Sequence, residues 1–431
     1  MKIAYEATYA TRGKSGIPRD AKSLISIFSS MNLESLNIIF FTKDTFFRGE
    51  NKRSQIIGSA FRPDGASRSR LPNRMRLLLL ALDSLRIRRK IKKISLTDYE
   101  SKGILESLNL KVALNGNSKI SIFPVDYKSR LIRPKWLRPY LISNIDAEIF
   151  IQQQADPISV GKHIAHVIRL HDVLPLTHPQ YFDNLSVQVF SKSIQTMLKR
   201  KPFIVMDSVS TSRELENMFD LQGRVFVVPP IIEFKVQPTF RKKKQIILVN
   251  TLEPRKRTQF VIDGFLYAKR LEKLDEDWNL VVVGSHGWLQ ETLVENLRNK
   301  KFGNSVEYYD SPTDSSLAQL YDESSIVISL SAAEGFGLPP LEGMYFGCLP
   351  IVSDIPEHRD NLGDKALFVD GVEPTQVALA MKKASEIVSL DDEKSFSARN
   401  NYIINRFGRE AAKENWNTVF SKIINIHQNK K

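Results

Sequence analysis

Cysteine is nearly absent from this chain: Cys348 is the only one in 431 residues. A single thiol excludes an intrachain disulfide, and with it the small stapled folds of secreted proteins, and it points to a reducing compartment. It lies between Gly347 and the apolar run that starts at Leu349, the setting of a small buried residue rather than a reactive thiol. Long hydrophobic runs are missing as well. The leucine-rich stretch Leu77 to Leu82 falls far short of the roughly 20 residues a membrane helix requires. The opening MKIAYEATYATRGK has no continuous apolar core, because charge returns at Arg12 and Lys14, so a secretory signal is not expected. Together these absences point to a cytoplasmic protein, soluble or peripheral on the inner membrane face.

Acidic residues are scarce in one half only. Residues 1–237 hold 37 Lys+Arg against 21 Asp+Glu, whereas residues 238–431 hold 25 against 27. A basic half joined to a near-neutral half suggests that one faces something anionic and the other does not. The excess concentrates between Lys52 and Lys93, with 13 Lys+Arg and only Asp64 and Asp83 to offset them. Within it, LPNRMRLLLLALDSLRIRRKIKK mixes leucines with cations. That mixture suits an anionic membrane surface, which the confinement of the excess to this half favours over a helix with one solvated basic face. Nucleic acid would fit the charge, but no RNA- or DNA-binding motif accompanies it and aromatics are sparse there.

What is present is a regular alternation. An apolar fraction of 42% with 26% charged residues is globular composition, and the length suggests two domains. KIAYEA, LNIIFFTK, AEIFIQQ, HIAHVIRLHD, PFIVMDS and RVFVVPP read as strands, with a helix from about Pro18 to Met31. PPIIEFKVQPTFRKKKQ, residues 229–245, has prolines, a basic run and no period, and marks the boundary. Beyond it QIILVNT, WNLVVVG, SVEYYD, SIVISL, CLPIVS and ALFVD alternate with helical segments, the signature of a doubly wound parallel α/β sheet. A final helix is expected from about Arg406 to His427.

The segment SAAEGFGLPPLEGMYFG, residues 331–347, carries the chemistry. It reads as a strand end, a glycine loop and a helix with prolines in its first turn. Gly335 and Gly337 let the backbone approach a ligand, and the free N–H groups of the helix start suit a phosphate. The two carboxylates, Glu334 and Glu342, then need another partner. Vicinal sugar hydroxyls are one, since a carboxylate accepts from both. The alternative is that Glu342 complements the helix dipole and Glu334 is a solvated loop acid. In VNTLEPRKR, residues 249–257, Arg255, Lys256 and Arg257 stand at a loop-to-helix junction. Cations there oppose the dipole, which argues for an anion such as a diphosphate leaving group.

These segments resemble the retaining glycosyltransferases of the GT-B fold, family four, group 1, whose signature is E-x7-E within EGFGLPxLEAM. TLEPRK resembles their diphosphate loop, VVVGSHGW the strand end of their mannosyl- and rhamnosyltransferase-like branch, RGKSGIPRDAKSL their first glycine loop, and RLHDVLPLTHP their HDxxP element. The resemblance implies two Rossmann-like domains facing a cleft: residues 1–230 for the acceptor, residues 231–407 for the donor, and a last helix, about 408–428, packing back on the first. It places Glu334 on the transferred sugar, Glu342 on the ribose, Lys256 on the diphosphate with Arg255 as helper, and His171 in the sugar pocket with Asp172 beside it. Gly335, Phe336, Gly337 and Leu338 would cradle the nucleotide, and Gly16 would sit near the phosphates. Departures are Ser15–Gly16 in place of a glycine pair, and Val249-Asn250-Thr251 where some relatives carry an arginine.

Two competing motifs fail. RGKSG is not a phosphate-binding P-loop, because the glycine required five positions before Gly13 is Thr8. His163 and His166 fall on opposite strand faces, so a shared metal is not expected, and the resemblance implies no metal and no tightly bound cofactor. The expected function is transfer of a hexose from a nucleotide diphosphate sugar, GDP-mannose or a UDP-hexose, to a lipid-linked or saccharide acceptor in bacterial surface polysaccharide synthesis. The rivals are a non-catalytic GT-B scaffold and a soluble small-sugar synthase.

Overall fold

Continuous apolar strands, rather than alternating ones, call for sheets covered on both faces, and two such sheets organise the molecule. The computed structural model describes residues 1–11, 16–41, 60–61, 94–110, 112, 114, 116–123, 140–141, 145–156, 158–240, 242–285, 287 and 290–429. Apart from residues 60–61, the basic stretch 52–93 lies outside them, as do Arg12 to Ser15, His286 and Trp288.

The first sheet holds β1 (Lys2–Glu6), β2 (Ser35–Phe41), β3 (Ile94–Ser95), β4 (Lys119–Phe123), β6 (Ile149–Gln153), β8 (Ala165–Leu170), β9 (Phe203–Met206) and β10 (Val225–Val227). Their spatial order is β10-β9-β8-β6-β1-β2-β4-β3, parallel except for the β3–β4 pair. A small parallel pair, β5 (Tyr140–Leu141) with β7 (Ile158–Ser159), stands apart. The second sheet comprises β11 (Lys243–Val249), β12 (Asn279–Val283), β13 (Val306–Tyr309), β14 (Ser324–Ser329), β15 (Leu349–Ser353) and β16 (Leu367–Val369), in the order β13-β12-β11-β14-β15-β16. All its pairings are parallel. Counted in chain order this is 3-2-1-4-5-6, the doubly wound Rossmann order, so the chain reverses direction between β11 and β14 and opens a crevice at their carboxyl ends. In the first sheet the equivalent reversal falls between β1 and β6. This is the GT-B architecture that the sequence predicts.

Cys348 is buried, its Sγ donating to the carbonyls of Ser324 and Tyr321. Two helix ends differ from expectation. The first helix spans Gly16–Ser30, not from Pro18. Pro18 lies inside the first turn, where an N–H would have no helical partner in any case. A helix Glu393–Phe407 and then the last helix, Arg409–Gln428, close to the expected 406–427, are parted by Gly408, which is extended at φ −76° and ψ 177°. The second of these buries Trp416, Phe420 and Ile423 in the core of the first sheet. Trp416 meets Phe28 edge-on at 5.2 Å, and the Arg169 guanidinium lies 5.8 Å from the indole. No described helix is long and apolar enough to cross a membrane.

Candidate active site

The reversal between β11 and β14 brings together two segments some eighty residues apart in sequence. Leaving β11, the chain makes a short turn at Pro254–Lys256 and passes through Arg257 in the left-handed region, φ 53°. Leaving β14, it forms the Glu334 loop. Lys256 Nζ lies 2.5 Å from Glu334 Oε1, and Arg255 Nη1 lies 3.1 Å from Oε2. Arg255 also donates to the Ala333 carbonyl at 2.5 Å and pairs with Glu253 at 2.8 Å. Burial by itself would raise the Glu334 carboxyl, but the Lys256 ammonium and then the Arg255 guanidinium outweigh it and hold its pKa at about 2. Glu253, Arg255, Lys256 and Glu334 sum to zero charge. Lys256 and Arg255, which the resemblance assigns to a diphosphate, are therefore neutralised by carboxylates.

The loop supplies what those cations do not. The backbone N–H groups of Gly335, Phe336, Gly337 and Leu338 make no hydrogen bond within the described residues. Pro339 and Pro340 follow with no N–H of their own. Gly337 stands at φ 83° and ψ 55° at the start of the helix Leu338–Tyr345, a conformation that suits glycine. The loop is braced from three sides: Ser353 Oγ donates to Ser331 O (2.6 Å), Asn361 Nδ2 to Phe336 O (2.6 Å), and Ser208 Oγ, from the first sheet's side, to Gly335 O (3.0 Å). A side chain at Gly335 would place its Cβ 2.7 Å from Asp172 Cβ, so the two halves meet there backbone to side chain. Gly16 lies against Leu338, within 3.4 Å by the same measure.

Glu342, eight residues after Glu334, is also buried and fully engaged. Its Oε1 pairs with Arg19 Nη1 at 2.6 Å, across from the Gly16–Ser30 helix, and its Oε2 accepts from Tyr321 OH at 3.1 Å. His358 lies under Gly337. Its Nδ1 donates to Ser353 O at 2.9 Å, and its Nε2 is buried without a partner. Burial lowers its pKa, so the imidazole is neutral and offers Nε2 as an acceptor.

On the first sheet, β6, β8 and β9 end in a buried polar network. Arg169 pairs with Asp20 (3.2 Å) and Asp207 (2.8 Å). His171 Nδ1 faces Asp207 Oδ2 at 2.9 Å, and its Nε2 faces Gln153 Oε1 at 2.8 Å. Gln153 Nε2 is turned to Tyr5 OH and Asp20, which leaves its oxygen for the histidine. Both ring nitrogens of His171 then donate, making it an imidazolium. Burial alone would lower its pKa, but Asp207 and then Asp20 outweigh that and raise it. Asp20, Asp207, Arg169 and His171 thus form a neutral quartet. His171 has no free nitrogen for a sugar or an acceptor proton. The part of this segment that reaches the Glu334 loop is the His171 carbonyl and Asp172. Asp172 accepts from Leu174 N at 3.0 Å, and burial raises its pKa.

Arg19, Tyr321, Asp207 and His358 were not legible as site residues, because each arrives from a different element. The P-R-D run after Gly16 was the one available hint for Arg19. Glu357 is a further surprise: it is buried where the helix Pro356–Leu362 packs on Val209–Met218, and burial pushes its pKa to about 7. Among the described residues no group of three or more His, Cys, Asp and Glu side chains is placed to hold a metal ion.

Residues 231–400 match the sequence profile of the family described as glycosyl transferases group 1. The chain is 32% identical over 138 residues to the serotype-specific mannosyltransferase WbdA of Escherichia coli, covering 32% of this chain and 17% of that protein. It is 24% identical over 220 residues to O-antigen chain mannosyltransferase B of Escherichia coli, covering 47% and 57%. Sucrose-phosphate synthase from Thermosynechococcus elongatus shares the fold with a TM-score of 0.62 at 11% identity, over 98% of this chain and 99% of that one. The chain thus spans less than two thirds of either curated relative.

Proposed function

From the match of residues 231–400 to the group 1 glycosyltransferases we propose that the chain is a retaining, metal-independent hexosyltransferase. It takes a hexose from a nucleotide diphosphate sugar, mannose from GDP-mannose foremost and a UDP-hexose next, and delivers it to a lipid-linked or saccharide acceptor in bacterial surface polysaccharide synthesis. The observation that carries this reading is the row of four N–H groups from Gly335 to Leu338 that are unpaired among the described residues, beside the Lys256–Glu334 pair.

Because Lys256 and Arg255 are paired with Glu334 and Glu253, the donor binds by exchange of partners. The diphosphate is met by the loop amides and the helix start and draws Lys256 and Arg255 away from Glu334. The released carboxylate accepts from the sugar hydroxyls. Glu342 likewise exchanges Arg19 for the ribose hydroxyls while keeping Tyr321. Each carboxylate trades its cations for hydroxyl donors, so no buried oxygen is left without a hydrogen bond, which would be costly. No protein nucleophile is assigned. The acceptor hydroxyl attacks the face that the diphosphate leaves, the departing phosphate oxygen takes its proton, and Lys256, Arg255 and the loop amides stabilise the charge that develops. The mannosyltransferase relatives favour mannose as the sugar.

A transfer and donor-hydrolysis assay on Glu334→Ala tests the reading, with nucleotide sugars screened by thermal shift. Turnover should fall at least about a hundredfold, as for loss of a group that acts on the transition state. Unchanged turnover would leave the protein a scaffold.

A further inference from the structure

The amino-terminal edge of the first sheet, opposite the cleft, carries a second basic feature. Around the starts of β8 and β9 and just before β10 lies a cavity of about 380 Å³ lined by Lys162, Arg200, Lys201 and Arg224, with His166 and His427. Among the described residues no Asp or Glu lines it. Lys162, Lys201 and Arg224 take part in no ion pair among those residues. Two nitrogens in its wall, Arg224 Nε and His427 Nε2, are buried without a partner. The Arg224 guanidinium is held in place by a bond from Nη1 to the Lys201 carbonyl at 2.6 Å and by the Phe203 ring, 5.4 Å away.

Two blander explanations give too little. The helices Asn184–Leu198 and Arg409–Gln428 end near the rim, and their dipoles attract cations there. Two helix ends are worth roughly one negative charge, against three side-chain cations without a carboxylate. A basic hollow can also neutralise itself, as happens in the second sheet. There a cavity of about 590 Å³ lined by Arg298 and Lys300 also contains Glu307 and Asp310, with Arg298 bonded to Asp310 at 2.6 Å. Among the described residues Lys162, Lys201 and Arg224 have no such partner. Its positive potential is felt by His166, whose pKa is lowered to about 3 by burial and then by Arg200.

We propose that this cavity is a binding site for a phosphate-class anion, a phosphomonoester or diphosphate group, separate from the cleft between the sheets. His166 at its wall and His171 beside the cleft are five residues apart, about 17 Å along the strand direction, so one compact ligand cannot fill both. Arg224 supplies the preorganised fork, Lys162 and Lys201 supply mobile point charges, and the ligand is either a soluble phosphate compound or an anionic lipid headgroup.

Inorganic pyrophosphate titrated into the full-length protein by calorimetry distinguishes the two sites. The wild type should show two classes of binding. Lys162→Gln with Lys201→Gln, both exposed and neutral to folding, should weaken one class roughly tenfold or more, and Lys256→Gln should weaken the other. If Lys256→Gln abolishes all binding, or the double variant changes none, the cavity is not an anion site. The Arg224→Gln variant should reproduce the double variant's loss, and a circular dichroism spectrum matching wild type shows that it folds. Co-sedimentation with phosphatidylglycerol vesicles, against phosphatidylcholine alone, identifies the source. Capture lost in the double variant means a lipid headgroup, and no capture alongside intact pyrophosphate binding means a soluble ligand.

Discussion

Glu334 shows at the scale of one residue how a buried charge reports its partners. Its pKa of about 2 lies below the ordinary 4.5, so its ion pair with Lys256 stabilises the fold fully above pH 4.5 and loses that contribution as pH falls toward 2. The difference is on the order of 3 kcal/mol. The acid limb of the thermal stability profile should therefore be shallower in Glu334→Gln than in wild type between those values. Equal slopes in the two proteins would mean that Lys256 does not hold the carboxylate. His171 illustrates the opposite sign. Its raised pKa stabilises the fold below the ordinary imidazole value, and that stability is lost as pH rises through the folded one.

At the scale of elements, the helix Pro356–Leu362 rests on Val209–Met218 and joins the two halves through acids. Glu357 at about 7 is raised by burial and by Glu214 and Glu334, while Ser210 bonds to it. A raised carboxyl pKa means that stability is fully present below 4.5 and declines as pH rises to 7. Glu357→Gln should abolish this decline, so that its melting temperature gains on wild type between pH 5 and pH 8. The change amounts to about 3 kcal/mol. Parallel pH profiles would show that Glu357 is solvated. The Arg19–Glu342 contact joins the same two halves, from the Gly16–Ser30 helix to Leu338–Tyr345. If nucleotide ribose displaces Arg19, then Arg19→Gln removes a competitor, and the KM for the donor should fall by roughly a few-fold with kcat little changed. A rise in KM would instead make Arg19 a donor-binding residue.

At the scale of the whole molecule, the last helix lies far from β1 in sequence yet completes its core. Trp416 is fully buried among Phe28, Phe420 and the Arg169 guanidinium. Trp416→Ala should cost about 3–5 kcal/mol and lower the melting temperature. It should also loosen the quartet beneath it, because Arg169 loses the ring it packs on. If the melting temperature is unchanged, the helix contributes little to that core.

The sequence by itself determined the doubly wound α/β class, because runs such as SIVISL and WNLVVVG are apolar on both faces and alternate with helices. It also determined the glycine loop and its two glutamates, because a turn, a helix start and a fixed spacing are local features. Helix ends near Gly16 and Gly408 were legible only to within a few residues, since local propensity does not say where the first hydrogen bond forms. Only the tertiary structure decided what each acid and cation touches. Glu334 meets Lys256 because β11 and β14 are neighbours, and Glu342 meets Arg19 because the two halves are apposed. His171 is protonated because Gln153, Asp207 and Asp20 arrive from three other elements. Partner choice among buried charges is set by distance and by the removal of water, and neither quantity is written along a chain.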